Sequence, residues 1–363
     1  MEQKFSKEKK QHNTYWIFDP MNFWIKNKKL RYAIIFLLIA GGGLCAWGYS
    51  MLYSSNTAFS EKEQILFIQE ETNLSDWLES NESDFIENKS SFSAVSNIKK
   101  FNRLKPGRYK IRRGAGNNTI INMLRSGNQS PLTIRIDDTH RLDQLASKLG
   151  KNLRSDSAAF MTLFASDDIQ KNYGLNYLTL PSLIIPDTYE FFWTMTPDEF
   201  LLKMKKVHDN YWTEENKALA QNIGLAPTSV CILASIVKAE TAKKQEAPKI
   251  AGLYLNRLKI GMALQSDPTA VFGSEEHVAR VTGAHLNNDS PYNTYHITGL
   301  PPGPIDFCEP VYLDAVLHAE KHNFIFMCAQ PGKTGFHNFS KTLDQHNVYR
   351  REYLNWLDSK GIQ

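Results

Sequence analysis

The sequence predicts an α+β protein with a single N-terminal transmembrane helix, a small α+β module and a larger α+β domain. The chain has 363 residues, too many for one typical domain. Residues 32–53 are apolar and contain no charged residue, and the remainder shows strand and helix periodicities in alternation. The predicted segments are a basic arm at 1–31, the helix at 32–53, the module at 61–136 and the larger domain at 137–360.

The apolar segment predicts a membrane anchor. As a helix it would be about 33 Å long, enough to cross a bilayer once. Residues 1–31 carry eight Lys and Arg against three acidic residues, and the next cation is Lys62. The positive-inside rule therefore places the N-terminus in the cytoplasm and the chain after about residue 54 outside it. A cleaved signal peptide is the alternative, but the arm and the apolar run are both long for one.

Charge and cysteine content exclude two classes. The net charge is +4, the arm accounts for more than all of it, and nothing indicates nucleic-acid binding. Cys231, Cys308 and Cys328 follow the anchor without CxxC or zinc-like spacing, so a disulfide framework is not expected, although one bridge could form.

The module is predicted from six elements in the order strand, helix, helix, strand, helix, strand. They are Gln64 to Gln69, a helix around Trp77, a helix near Val95, Gly107 to Ile111, Asn118 to Arg125 closed by Gly127, and Leu132 to Ile136. Residues 99–113 carry eight cations and no acid, which indicates either a solvated face or a surface for an anionic polymer.

The next segment, residues 137–225, is predicted to be mostly helical, with a turn at Pro181 to Asp187. The aromatic stretch Tyr189 to Trp193 is typical of core, and sugar stacking is the alternative.

A helix is predicted after Pro227, capped by Thr228 or Ser229, and Glu240 continues its apolar stripe. A carboxyl on an inward face has a raised pKa, as a proton donor at neutral pH requires. The alternative is a Glu at a frayed helix end that bonds the backbone. The stripe consists of Val230, Leu233, Ala234 and Val237.

The segment after this helix is rich in turns. Pro268 biases Asp267 away from helix and predicts a polar loop, in which Asp267 is either a second carboxylate or an Asx turn. Residues 291–295 and 299–304 are suited to cleft walls. His285, His296, His337 and His346 match no metal-ligand spacing, so neither a metal nor a cofactor is expected.

Taken together, these motifs strongly resemble the YceG-like family of endolytic murein transglycosylases. The resemblance is sharp over 230–347, looser at 186–191, and weak over 61–136, where the family carries a LysM-like module. Lys238 stands where the family usually has an acid, and Ile136-Asp137-Asp138 replaces a Pro-Glu-Gly turn. The motifs are Leu233 to Val237 with Glu240-Thr241, Asn256-Arg257-Leu258, Gly261-Met262, Leu264 to Thr269, Tyr292 to Tyr295, Gly299 to Ile305 and His337-Asn338-Phe339.

The resemblance implies a lyase that cuts nascent peptidoglycan strands outside the cytoplasmic membrane and leaves 1,6-anhydro ends. Glu240 would act as general acid and then base, so one carboxyl would suffice. It also implies work beside the peptidoglycan synthesis machinery. The alternatives are a lysozyme-like hydrolase using Asp267, and a non-catalytic wall-binding scaffold. Residues expected to bind the sugar or position Glu240 are Asn256, Gln265, Asp267, Thr269, Tyr292 and Asn293, while Arg257 could instead be a structural ion-pair partner.

Overall fold

The computed structural model describes residues 28–274, 286–333 and 335–361. The described chain forms two compact units. The N-terminal unit comprises residues up to 66, 70–105 and 109–128, and the C-terminal unit comprises 67–69, 106–108 and the chain from 129 onward.

The first helix, α1 (Lys28–Tyr53), has 26 residues and no buried side chain. It is the one helix in the described ranges that is, by itself, long and apolar enough to cross a membrane. Its end is joined tightly to the rest of its unit. Asn117 Nδ2 donates to the Met51 carbonyl at 2.9 Å, and Asn56 Nδ2 donates to Asn117 Oδ1 at 2.5 Å.

Residues 54–128 contain five of the six elements predicted for the module, in the predicted order, whereas the sixth, the strand predicted at Leu132 to Ile136, belongs to the C-terminal unit. Strand β1 pairs with β4, and two additional short strands, β2 and β3, pair antiparallel. Gly127 ends α4 with φ of 69°, the left-handed conformation that glycine adopts freely. The elements are β1 (Glu63–Ile68), β2 (Thr72–Asn73), α2 (Leu74–Glu79), α3 (Lys89–Ile98), β3 (Arg103–Leu104), β4 (Gly107–Arg112) and α4 (Asn117–Ser126).

Part of the basic stretch at 99–113 is engaged at the surface of this module. Lys110 pairs with Glu63 at 2.8 Å, Arg103 with Glu71 at 3.3 Å, and all four side chains are partly exposed. These pairs support the interpretation as a solvated face.

The C-terminal unit begins with a two-stranded antiparallel sheet and five helices. Thr188–Phe191, within a segment expected to be mostly helical, is a strand that pairs with β5. Phe191 is buried, whereas Phe192 is 51% exposed, the alternation of a half-buried strand. The elements are β5 (Leu132–Arg135), α5 (Leu142–Asn152), α6 (Ser157–Phe164), α7 (Asp167–Tyr173), β6 (Thr188–Phe191), α8 (Pro197–Tyr211) and α9 (Glu214–Asn222).

The second half of this unit is built around α10, where every residue from Val230 to Val237 is buried. Two expectations for local structure are wrong here. Ala226 is the N-cap of α10 and Pro227 its first residue, since proline at this position loses no helical hydrogen bond. For the same reason Asp267-Pro268 begins α12 rather than continuing a loop. The elements are α10 (Pro227–Glu240), α11 (Ala247–Lys259), α12 (Asp267–Ser274), α13 (Pro310–Leu317), β7 (Phe326–Ala329), β8 (His337–Ser340) and α14 (Leu343–Ser359).

Candidate active site

Three segments of the C-terminal unit meet at the carboxyl group of Glu240, the last residue of α10. Its Oε1 accepts a hydrogen bond from the Tyr254 hydroxyl at 2.7 Å and another from Ser266 Oγ at 2.5 Å. Tyr254 lies on α11 and Ser266 directly before α12, and both residues are buried. Glu240 itself is half-buried, and its carboxyl is held in place by these two donors.

Burial raises the pKa of Glu240 above its ordinary value of 4.5. The hydrogen bonds from Ser266 and Tyr254 oppose that shift because they stabilise the carboxylate, and the charge of Asp267 reinforces it. His337 also lowers the pKa, with the smallest effect. The balance favours a protonated carboxyl at higher pH than usual, the state that a general acid needs.

The loop that carries Ser266 is held by two buried threonines. The Thr294 hydroxyl accepts from the Ser266 amide at 3.0 Å, and Thr269 Oγ1 donates to the Ser266 carbonyl at 2.7 Å. Gln265 has φ of 52°, a left-handed conformation that is uncommon for a non-glycine residue. Its backbone amide donates to the Thr294 carbonyl at 3.0 Å. Its side chain is exposed and precedes Ser266 in the chain. Thr269 therefore positions the loop, and Gln265 is free to meet a ligand.

Arg257 supports the same loop from α11. Its buried guanidinium donates through Nη1 to the Leu264 carbonyl at 2.5 Å and through Nε to the Ile325 carbonyl at 2.7 Å. It also stacks 5.7 Å from the ring centroid of Phe326. Arg257 thus ties α11 to the backbone at Leu264 and Ile325 through carbonyls, and it forms no ion pair within the part of the chain that the structure describes.

Two of the side chains predicted to bind ligand donate their amide hydrogen bonds to backbone carbonyls instead. Asn256 Nδ2 donates to the carbonyls of His322 and Phe324 at 2.8 and 3.0 Å. Asn293 is fully buried, and its Nδ2 donates to the carbonyls of Leu286 and Asn288 at 3.0 and 2.8 Å. Both amides hold the backbone of neighbouring segments, and a direct role in sugar binding stays a prediction.

Asp267 and Tyr292 reach open space. Asp267 is exposed, and its Oδ1 accepts from the Tyr295 hydroxyl at 2.5 Å. Tyr292 lines a cavity farther along α12. With Gln265, they are the predicted ligand-binding side chains that a substrate could touch.

The sequence did not reveal the partners of Glu240, nor the pair formed by the buried Glu246 and the half-buried His337. Glu246 accepts from the His337 amide at 3.0 Å and lies 2.9 Å from His337 Nδ1. The only available signal was at Tyr254, because a tyrosine on an apolar helix face requires a hydrogen-bond partner for its hydroxyl.

Lys238 is directed away from this site, as residues two apart point to nearly opposite sides of a helix. Its Nζ lies 3.0 Å from Asp306 Oδ2 and 3.4 Å from Glu309 Oε1. Glu240 is therefore the one carboxyl that α10 itself directs toward Tyr254 and Ser266.

Residues 28–274, 286–333 and 335–361 contain no group of three or more His, Cys, Asp or Glu side chains arranged to hold a metal ion. The thiols of Cys231 and Cys308 are free and buried, and Cys308 Sγ donates to the Cys231 carbonyl at 2.8 Å.

The fold and this site define an α+β protein in which a carboxyl at the end of a core helix is held by two hydroxyl donors, following an N-terminal apolar helix. The chain belongs to the YceG-like family, whose profile matches residues 66–352. The resemblance inferred from the motifs is thereby confirmed.

Proteins named endolytic murein transglycosylase are similar to this chain and support its membership of the family. An endolytic murein transglycosylase of Bacillus subtilis is 28% identical over 292 residues, which cover 76% of this chain and 81% of the relative. One from Streptococcus pneumoniae serotype 2 is 26% identical over 70% of this chain, which spans 52% of that longer relative. The crystal structure of a YceG-like protein from Listeria monocytogenes aligns with a TM-score of 0.54 and 25% identity, over 80% of this chain and 99% of that one.

Proposed function

We propose that this protein is an endolytic peptidoglycan lytic transglycosylase, with Glu240 as its general acid and base. The observation that carries the proposal is the single carboxyl of Glu240, with its raised pKa and two hydroxyl donors on one oxygen. The names of the relatives from Bacillus subtilis and Streptococcus pneumoniae support peptidoglycan as the substrate.

In the proposed reaction, Glu240 protonates the bridging oxygen between N-acetylmuramic acid and N-acetylglucosamine. The bond from that oxygen to the muramoyl C1 breaks, and the N-acetylglucosamine chain leaves with the proton. The resulting carboxylate then removes the proton from the muramoyl C6 hydroxyl as its oxygen bonds to C1, which gives a 1,6-anhydro end. Because the nucleophile belongs to the substrate, no second protein carboxyl and no water are consumed.

The hydroxyls of Tyr254 and Ser266 have a defined part in this cycle. They stabilise the carboxylate that exists between the two proton transfers, and they hold its Oε1 in place. The proton taken from the C6 hydroxyl returns Glu240 to its acid form, and burial, which raises its pKa, favours that form before the next turnover.

The products distinguish this proposal from its rivals. The full chain in detergent micelles is incubated with purified murein in H₂¹⁸O, and the released muropeptides are examined by mass spectrometry. Anhydromuramoyl ends without ¹⁸O are expected. Reducing ends that carry ¹⁸O would indicate a lysozyme-like hydrolase, with Asp267 as the second carboxylate. Absence of release would favour a wall-binding scaffold.

Removal of one hydroxyl donor is expected to change the pH dependence. In Ser266→Ala and in Tyr254→Phe the pKa of Glu240 rises, because a bond that favours the carboxylate is lost. Since the free enzyme must carry the proton, the basic limb of the kcat/KM profile should move to higher pH. Ser359→Ala, on the exposed end of α14, is the control. A limb that moves to lower pH would contradict the assignment of these donors.

We further propose that α1 spans the cytoplasmic membrane with the N-terminus in the cytoplasm. Residues 61–136 would then be a LysM-like module that contacts glycan, and 137–360 the catalytic domain on the outer side. An anchored enzyme would meet newly made strands close to the synthesis machinery. Glycan strands in cells that lack the protein should be longer than in the parent, and unaltered strand lengths would count against this placement.

A further inference from the structure

The C-terminal unit contains a second feature that can take a ligand, a cavity of about 170 Å³ beside the far end of α12. It does not include Glu240 or the hydroxyls bonded to it. Its walls come from the start of α5, the segment before β6, the end of α12 and the turn-rich stretches at 290–292 and 304. The lining includes Arg141, Asp143, Tyr177, Phe272 and Tyr292.

Tyr292 presents an unpartnered polar group in this cavity. The residue is only 9% exposed, yet its hydroxyl makes no hydrogen bond to any part of the chain that the structure describes. Burial raises the pKa of Tyr292, with a smaller contribution from the neighbouring Tyr177. The cavity wall is close here, since a Cβ on Gly303 would come within 2.9 Å of the Tyr292 hydroxyl. The hydroxyl is not sealed inside the protein, so it is open to the cavity, where a ligand or water can bond it.

The remaining walls combine aromatic faces with polar groups. The rings of Phe272 and Tyr292 lie 4.8 Å apart, and the Arg141 guanidinium lies 5.7 Å from the Phe272 centroid. Tyr177, a residue that is 41% exposed, adds a second hydroxyl. A pyranose ring has the matching surface, with apolar C–H faces and polar groups around its edge.

The charges disfavour an anionic ligand. Arg141 Nε is 3.2 Å from Asp143 Oδ1, so the cation at the rim is already paired with a carboxylate. A free carboxylate of a stem peptide would have to compete with Asp143, whereas a neutral sugar would not.

The cavity is connected to the catalytic carboxyl by one short helix. Asp267 follows Ser266, which bonds Glu240, and Phe272 lies five residues farther along α12, about 7–8 Å at the helical rise. Tyr292 is also two residues from Thr294, which holds the Ser266 amide. This spacing suits a neighbouring sugar of one bound strand.

We propose that this cavity is a subsite for an N-acetylhexosamine unit of the glycan strand, displaced along α12 from the bond that Glu240 cleaves. The assignment rests on the proposed function for its substrate. Tyr292 and Tyr177 donate hydrogen bonds to the sugar, while Phe272 and the tyrosine rings contact its apolar face.

The test compares Tyr292→Phe and Tyr177→Phe with the wild type, using the full chain in detergent micelles. The substrate is glycan strands from which an amidase has removed the stem peptides. Each variant loses one neutral hydrogen bond and should raise KM about two- to tenfold, with a smaller change in kcat. Tyr349→Phe on α14 removes a hydroxyl outside both sites and should leave KM unchanged. Thermal unfolding of each variant controls for folding.

The outcomes separate the two proposals. Unchanged KM for peptide-free strands in both tyrosine variants would overturn the subsite, even if Glu240 proves catalytic. An increase in KM that occurs only with peptide-bearing strands would assign the cavity to the stem peptide and overturn the sugar. If the wild type cleaves nothing, binding of N-acetylglucosamine tetramer to the wild type and to Tyr292→Phe decides the subsite independently. Equal affinity would overturn it, and weaker binding by the variant would support it.

Discussion

Glu240→Gln is expected to lower the rate of strand cleavage by about 10²–10⁴-fold. Glutamine keeps the shape of the side chain and can still accept hydrogen bonds from Tyr254 and Ser266, but it can neither donate the catalytic proton nor remove one. The loss should appear in kcat, measured as anhydromuropeptide release per enzyme under saturating murein. Binding of the glycan should change little by comparison.

Glu320→Gln is the matched control, because Glu320 is exposed and lies outside the site. It should retain the rate of the parent. If Glu240→Gln kept more than about a tenth of the activity, another group would be the acid, and Asp267 would be the first candidate because its charge affects Glu240.

The same substitution is expected to stabilise the folded protein at neutral pH. The folded-state pKa of Glu240 is raised, so its protonated form is favoured by folding. That contribution is fully present below the ordinary value of 4.5 and is lost as pH rises through the folded pKa. The thermal midpoint of Glu240→Gln should therefore exceed that of the wild type at pH 7, with little difference near pH 4. A lower midpoint at pH 7 would show that the carboxylate is well solvated after all.

Arg257→Met should destabilise the C-terminal unit by about 2–4 kcal/mol and remove most of the activity. The substitution leaves the carbonyls of the buried Leu264 and the half-buried Ile325 without the donors they have in the structure. Methionine fills part of the volume, so the cost arises mainly from unpaired polar groups. A fall in the thermal midpoint of about 5–15 °C is the expected size for a unit of this length.

Arg257→Lys tests the geometry behind that expectation. A lysine ammonium retains the charge but cannot reach both carbonyls with a planar fork, so it should recover only part of the stability. Arg350→Met, on the exposed face of α14, is the control and should unfold like the wild type. A stable but inactive Arg257→Met would instead point to direct contact between Arg257 and the substrate.

Much of the scaffold could be predicted because it depends on local periodicity. The apolar segment, the order of the elements around Trp77 and Val95, and the left-handed end at Gly127 all follow from neighbours within one or two turns. The errors were local as well. Pro268 predicts a loop, although proline is equally suited to the first turn of a helix, and here it is the second residue of α12.

Helical periodicity alone places Glu240 on the apolar stripe of a core helix, because the helical period sets which residues share a face. What surrounds that carboxyl depends on packing between distant segments. Tyr254 and Ser266 are 14 and 26 residues away from Glu240 in the chain, and Glu246 and His337 are 91 residues apart. Such pairings depend on how α10, α11 and the loop before α12 pack together, and no local pattern encodes that packing. The chemistry of Glu240 therefore arises from a residue that periodicity can locate and from partners that only folding brings to it.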